Sequence, residues 1–162
     1  MARQGTGPAA LELMRRSATE RSETGATWWQ IRYLCMLAET YLQHSRVKEG
    51  LAAIAEAAEL MERTHEHTWK AELTRIEGEL RNQQQASAGN IEAYFQRAVS
   101  IAHDQNARAF ELRAATSLAR LWHQQGRRAE AHDLVAPVYG WFTEGFDTAD
   151  LKDAKTLLDE LA

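Results

Sequence analysis

Apolar residues recur along this chain at intervals of three and four, the period of a helix rather than of a strand. Eight segments follow from that rhythm. The first starts near Pro8 and carries Leu11, Leu13, Met14 and Ala18, ending before Thr24-Gly25. Proline suits a first helical turn, where its missing N–H has no intrahelical acceptor. The second runs from about Ala26 to His44, with Leu34, Leu37, Ala38, Tyr41 and Leu42 on one side. The third covers Val47 to Arg63, the fourth Thr68 to Gln84 and the fifth Asn90 to Asp104. A sixth spans Ala107 to Gln125 and a seventh Arg128 to Phe142, where Pro137 predicts a kink or an early end. The eighth runs from Ala149 to Leu161, with Thr148 as its expected N-cap. The breaks at Gly25, Ser45-Arg46, Arg63 to His67, Gln84 to Gly89, Gln105-Asn106 and Gly126 are short. Short connections favour antiparallel neighbours.

The segments repeat. Leu37-Ala38, Tyr41, Gly50, Ile54 and Ala57 return 81 residues later as Leu118-Ala119, Trp122, Ala131, Val135 and Val138. An offset of 40 carries Ala38 to Gly78, and one of 41 carries Gly50, Ile54 and Ala57 to Ile91, Phe95 and Ala98. One residue added between Gln83 and Gly89 accounts for the change. Subtracting 40 from Gly50 and Ile54 gives Ala10 and Met14, so the first segment reads as the second half of an earlier repeat. The small residues Ala38, Gly78 and Ala119 allow close helix approach, and Ile54, Phe95 and Val135 fill the space between helices. In the middle copy Glu77 and Arg81 replace a leucine and an aromatic, while Ile76 and Leu80 stand one place earlier. That helix is expected to be rotated. A single pair cannot bury its own apolar face, so such units must stack.

The expected fold is therefore all-α: an α-solenoid of antiparallel helix pairs. Residues 1–24 form an N-terminal half-repeat helix, 25–147 three helix pairs and 148–162 a capping helix. In the cap, Leu151, Ala154, Leu158 and Leu161 make the apolar stripe, and Trp141, Phe142 and Phe146 anchor it.

The small and large positions resemble those of the tetratricopeptide repeat (TPR), in a variant with longer helices. Leu118, Ala119, Trp122, Gly126, Ala131 and Val135 carry the best match. A narrower resemblance lies in the run Glu111 to Trp122, in Gln125-Gly-Arg, and in Tyr139 to Thr148 with Asp150-Leu151. These look like the C-terminal helical-repeat region of bacterial multidomain signalling proteins described as adenylate/guanylate cyclases or predicted ATPases. Ala149 stands where that family often has proline. The resemblance implies a TPR-like regulatory module. It carries over no catalytic residue, because the chain has neither a Walker GxxxxGK[ST] nor a cyclase-like stretch.

Composition narrows the function classes. The 162 residues include only 9 Gly and 2 Pro, too few for a turn-rich sandwich or barrel. The net charge of −4 offers nothing to draw nucleic acid or an anionic membrane. One cysteine, Cys35, excludes an internal disulfide framework and reads as a buried structural thiol. Residues 1–16 lack the apolar core of a signal peptide, so a cytoplasmic protein is expected. His65-Glu66-His67 is the densest group of candidate ligands, but its spacing puts the imidazoles on different sides of a helix, so it reads as a solvated junction. Asp147, Asp150 and Asp153 read as carboxylates at a helix N-terminus rather than a calcium loop. Trp69 and Trp122 are expected in the core, and one of the adjacent Trp28 and Trp29 is expected to be less buried. No catalytic residue, metal or cofactor is expected.

The remaining candidate is a groove. In TPR arrays the first helix of each pair lines the concave face, which here implies Arg32, Cys35, Glu39 and Gln43, then Arg75, Glu79 and Asn82, then Arg113, Thr116, Arg120 and His123. Arg75, Arg113 and Arg120 are expected to form a cationic stripe tempered by Glu39 and Glu79. The lysine and asparagine pattern of carboxylate-clamp TPRs is absent. The expected function is protein–protein interaction, as a non-enzymatic module of a bacterial signalling system. The alternative is a sensor that binds a small molecule or peptide in the groove. The N-terminal end, with Leu11 and Leu13, is expected to dock a second copy of the chain or a separate domain.

Overall fold

The computed structural model describes residues 27–85 and 88–162, apart from the side chains of residues 27, 28, 88 and 89. The segment expected from Pro8, its Leu11, Leu13 and Met14, the break at Gly25 and the side chain of Trp28 lie outside the described residues. Seven helices are described: α1 (Thr27–Gln43), α2 (Val47–Thr64), α3 (Lys70–Gln83), α4 (Ala88–Asp104), α5 (Arg108–Gln124), α6 (Arg128–Gly140) and α7 (Ala149–Leu161).

Three of the connections share one geometry. After α1, α4 and α5 the backbone turns left-handed at Ser45, Asn106 and Gly126, with φ of 56°, 53° and 79°. The next N–H then reaches back over the turn: Arg46 to the Tyr41 carbonyl at 2.9 Å, Ala107 to Ala102 at 2.9 Å and Arg127 to Trp122 at 2.8 Å. This closure satisfies the orphan carbonyls of a helix end. The same residues, Arg46, Ala107 and Arg127, then accept the first bonds of the following helix, from Gly50, Glu111 and Ala131. Each chain reversal thus joins a C-cap directly to an N-cap.

Three ends differ from expectation by two residues, α4 starting at Ala88 rather than Asn90. α3 begins at Lys70 rather than Thr68, because Glu66 accepts from both the N–H and the hydroxyl of Thr68 and holds a separate turn. α6 passes through Pro137 and stops at Gly140, short of Phe142. Pro137 supplies no N–H to the ladder, and only one further turn survives it. Thr148 takes the extended backbone of an N-cap, but its side chain makes no capping bond.

The chain divides into two compact units, 1–69 and 70–162. In the first, α1 packs on α2. Ile31, Leu34, Leu37, Ala38 and Tyr41 are buried on α1, and Ala53, Ile54, Ala57, Leu60 and Met61 on α2.

In the second unit each helix packs on the next. α3 also touches α5, and α5 also touches α7, whereas the backbones of α4 and α6 do not approach closely among the described residues. This order, sequential pairs with alternate helices in a row, is consistent with a helical repeat. Ile91 and Phe95 meet Leu118 and Leu121 in one core cluster. A second cluster joins Leu112, Ala115 and Ala119 to Ala131, Val135, Leu151, Ala154, Leu157 and Leu161.

The small position at Gly78 is used as the repeat requires. A methyl group there would meet the Phe95 ring at 2.8 Å and the Tyr94 Cβ at 3.0 Å. The middle copy is shifted as expected: Ile76 and Leu80 are buried, while Glu77 is half-buried and bonds Arg81 and Tyr94. In α7 the buried stripe is Leu151, Ala154, Leu157 and Leu161; Leu158, expected in it, lies at its margin. Of the three expected anchors, Phe142 packs on the core, whereas Trp141 and Phe146 are exposed.

Candidate functional site

The row α3–α5–α7 carries a ladder of charges. Glu72, Arg75 and Glu79 follow one another at intervals of three and four on α3, as do Arg113, Ser117 and Arg120 on α5, so each set faces one side. α7 presents Asp150 and Asp153 from its first turns. Arg75 grips Glu72 with two bonds, Nε to Oε2 at 2.9 Å and Nη2 to Oε1 at 2.8 Å. Arg113 donates from Nη1 to the same Glu72 Oε1 at 2.9 Å and from Nε to Asp150 Oδ2 at 2.8 Å. Ser117 donates to Glu79 Oε1 at 2.6 Å, and Arg120 to Asp153 Oδ1 at 2.6 Å. Arg113 therefore ties all three helices together.

Glu72 is only 2% exposed. Burial alone would raise its pKa, but Arg75 and then Arg113 outweigh that and hold it below the ordinary value. Arg113 shows the reverse balance: burial opposes its charge, and Glu72 and Asp150 hold its pKa above the ordinary value. The expected cationic stripe of Arg75, Arg113 and Arg120 is thus compensated, each arginine being paired with a carboxylate. What reaches solvent is a mixed surface. Asn82, Arg120 and Asp153 are exposed, with Glu79, Arg113 and Asp150 half-buried beside them.

The other groove candidates divide. Thr116 is buried and donates to the Leu112 carbonyl, so it does not face a groove. His123 is half-buried, with Nδ1 enclosed and lacking a hydrogen-bond partner among the described residues. In the first unit Cys35 is buried, Glu39 half-buried and Gln43 exposed at the last position of α1. Arg32 is exposed and lies over the Trp29 and Trp69 rings at 5.3 and 6.0 Å.

Neither expected core tryptophan is fully buried, although Trp122 packs against both core clusters. Trp69 precedes α3 and is half-buried. Trp122 is also half-buried: Nε1 donates to Glu92 at 2.8 Å, and the Arg127 guanidinium lies 4.4 Å from the ring centroid. An indole N–H needs an acceptor, which a purely apolar core does not offer.

Sequence reading named Glu79, which pairs with Arg75, but missed Glu72 and the pairing of Asp150 and Asp153 with Arg113 and Arg120. It also missed a repeated clamp. Arg46 lies over Tyr41 at 5.1 Å and pairs with Glu49, as Arg127 lies over Trp122 and pairs with Glu130. The offset of 81 was the available signal, since it carries Arg46 to Arg127 and Glu49 to Glu130.

The chain matches no protein-family model and none of the curated proteins. Among the described residues, no helix is long and apolar enough to cross a membrane.

Proposed function

We propose that the chain is a non-enzymatic TPR-like module that binds a protein partner through the surface of α3, α5 and α7. The observation that carries this reading is the ladder itself. Buried pairs around Glu72 hold the row in register, while Asn82, Arg120 and Asp153 present donors and acceptors of both signs outward. A surface of alternating charge selects a partner by complementary placement and rejects wrong ones by like-charge contact. The likeness of Glu111 to Trp122 and of Tyr139 to Thr148 to bacterial signalling proteins supports a regulatory role in such a system.

The test is a photo-crosslinking amino acid placed in living cells at Asn82 or Arg120, and separately at Arg97 on α4. A partner trapped from the first two sites and not from Arg97 supports the reading. Equal trapping at Arg97, or none from the row, removes it.

A further inference from the structure

The first unit carries a cation in contact with two aromatic rings. The Arg32 guanidinium lies over the rings of both Trp29 and Trp69, at 5.3 and 6.0 Å, and the residue is exposed. It has no carboxylate partner among the described residues. Its counterpart two repeats later, 81 residues on, is Arg113, which is saturated by Glu72 and Asp150. Trp29 and Met36 are 44% and 43% exposed, and with Arg32 they recur at intervals of three and four along α1. One side of the helix thus presents apolar area around a guanidinium.

We propose that Trp29, Arg32 and Trp69 form a receptor for a carboxylate on an acidic, apolar peptide segment of a protein partner. The physical reasons are three. Stacking on ring faces leaves the in-plane N–H groups of a guanidinium pointing outward, ready for a bidentate carboxylate. The two indoles hold water off and strengthen the resulting pair. Trp29 and Met36 receive the apolar residues beside the acid. A single guanidinium matches the single charge of a carboxylate; a phosphate group draws several donors together. The inference goes beyond the reading of the α3–α5–α7 surface, because it concerns the first unit alone and stands if that surface binds nothing.

The experiment is selection of a random-peptide library, displayed on phage, against the full chain. Enriched peptides are expected to carry Asp or Glu close to Leu, Ile or Phe. Arg32→Gln should bind them at least about tenfold more weakly, with its circular dichroism and melting temperature unchanged. Arg120→Glu should bind them as the wild type does. In the wild type, an enriched peptide should shift the indole N–H signals of Trp29 and Trp69 in NMR spectra, a readout that needs no variant. Failure to enrich any peptide, enrichment of acid-free peptides, or equal binding by Arg32→Gln overturns the proposal. Loss of binding in Arg120→Glu does so too, and moves the site to the other unit.

Discussion

The guanidinium of Arg127 lies 4.4 Å from the centre of the Trp122 ring, and two repeats earlier Arg46 lies 5.1 Å from that of Tyr41. The two arginines occupy the same place in the same turn. Each backbone N–H closes back on the carbonyl of the aromatic residue that its side chain covers. The clamp therefore joins the C-terminus of a first helix to the N-terminus of its partner through backbone and side chain at once. Trp122 also donates to Glu92 on α4. Its indole N–H and then Arg127 hold the Glu92 pKa below the ordinary carboxylate value.

Because Trp122 is half-buried, Trp122→Ala is expected to cost ~2–3 kcal/mol in denaturant unfolding, less than the ~3–5 of a fully enclosed tryptophan. Arg127→Ala should lower the melting temperature more than Arg127→Lys, since lysine keeps the charge but not the planar stack. Equal melting temperatures for the two variants would show that the ring contact contributes nothing.

Glu72 and Arg120 take part in ion pairs of opposite consequence. Removing Glu72 leaves Arg75 buried without its bidentate partner, so Glu72→Ala should cost ~3–5 kcal/mol. Arg120 pairs with Asp153 in solvent, and Arg120→Ala should change stability by less than ~1 kcal/mol. Urea titrations of both variants decide this, and a mild Glu72→Ala would place that carboxylate in water. Arg113 belongs with Glu72, so its reversal would disturb the fold and is unsuited to testing partner binding.

The pH dependence follows from the same residue. The folded pKa of Glu72 lies below its ordinary 4.5, so its contribution is complete above that value and is lost as pH falls through the folded pKa. Wild-type stability should fall on acidification below about pH 5, and Glu72→Gln, having already lost the contribution, should fall less steeply. Parallel urea midpoints for the two proteins across that acid range would contradict the assignment.

Helix packing gives a further check at Gly78. Alanine there gains up to ~1 kcal/mol of helix propensity but drives a methyl into the Phe95 ring, and overpacking costs ~1–3 kcal/mol. Gly78→Ala should therefore destabilise modestly and Gly78→Val more. A stabilised Gly78→Ala would mean that the two helices separate freely.

What was legible beforehand follows physical range. Periodicity along the chain placed the helices, and α7 carries the expected bounds because Thr148, Leu151 and Leu161 mark both ends locally. The close approach at Gly78 was legible because a missing side chain points to a near neighbour. Leu157 against Leu158 was not, since adjacent residues differ by about 100° of rotation and only the packed position of α7 selects between them. The pairing of Arg113 with Asp150 and of Arg120 with Asp153 depends on lateral helix spacing, which no local pattern encodes. Trp122 packs on the core as its helical position implies, but its half-exposure follows from the indole N–H reaching Glu92 on another helix, which periodicity does not encode.

The central claim is that the α3–α5–α7 surface is read by a partner through the placement of its charges. The most direct measurement is a charge swap, Arg120→Asp with Asp153→Arg, which keeps the pair but exchanges its members. Affinity for the crosslinked partner should fall at least about tenfold while the melting temperature stays at the wild-type value. Unchanged affinity in the swapped protein would contradict the account.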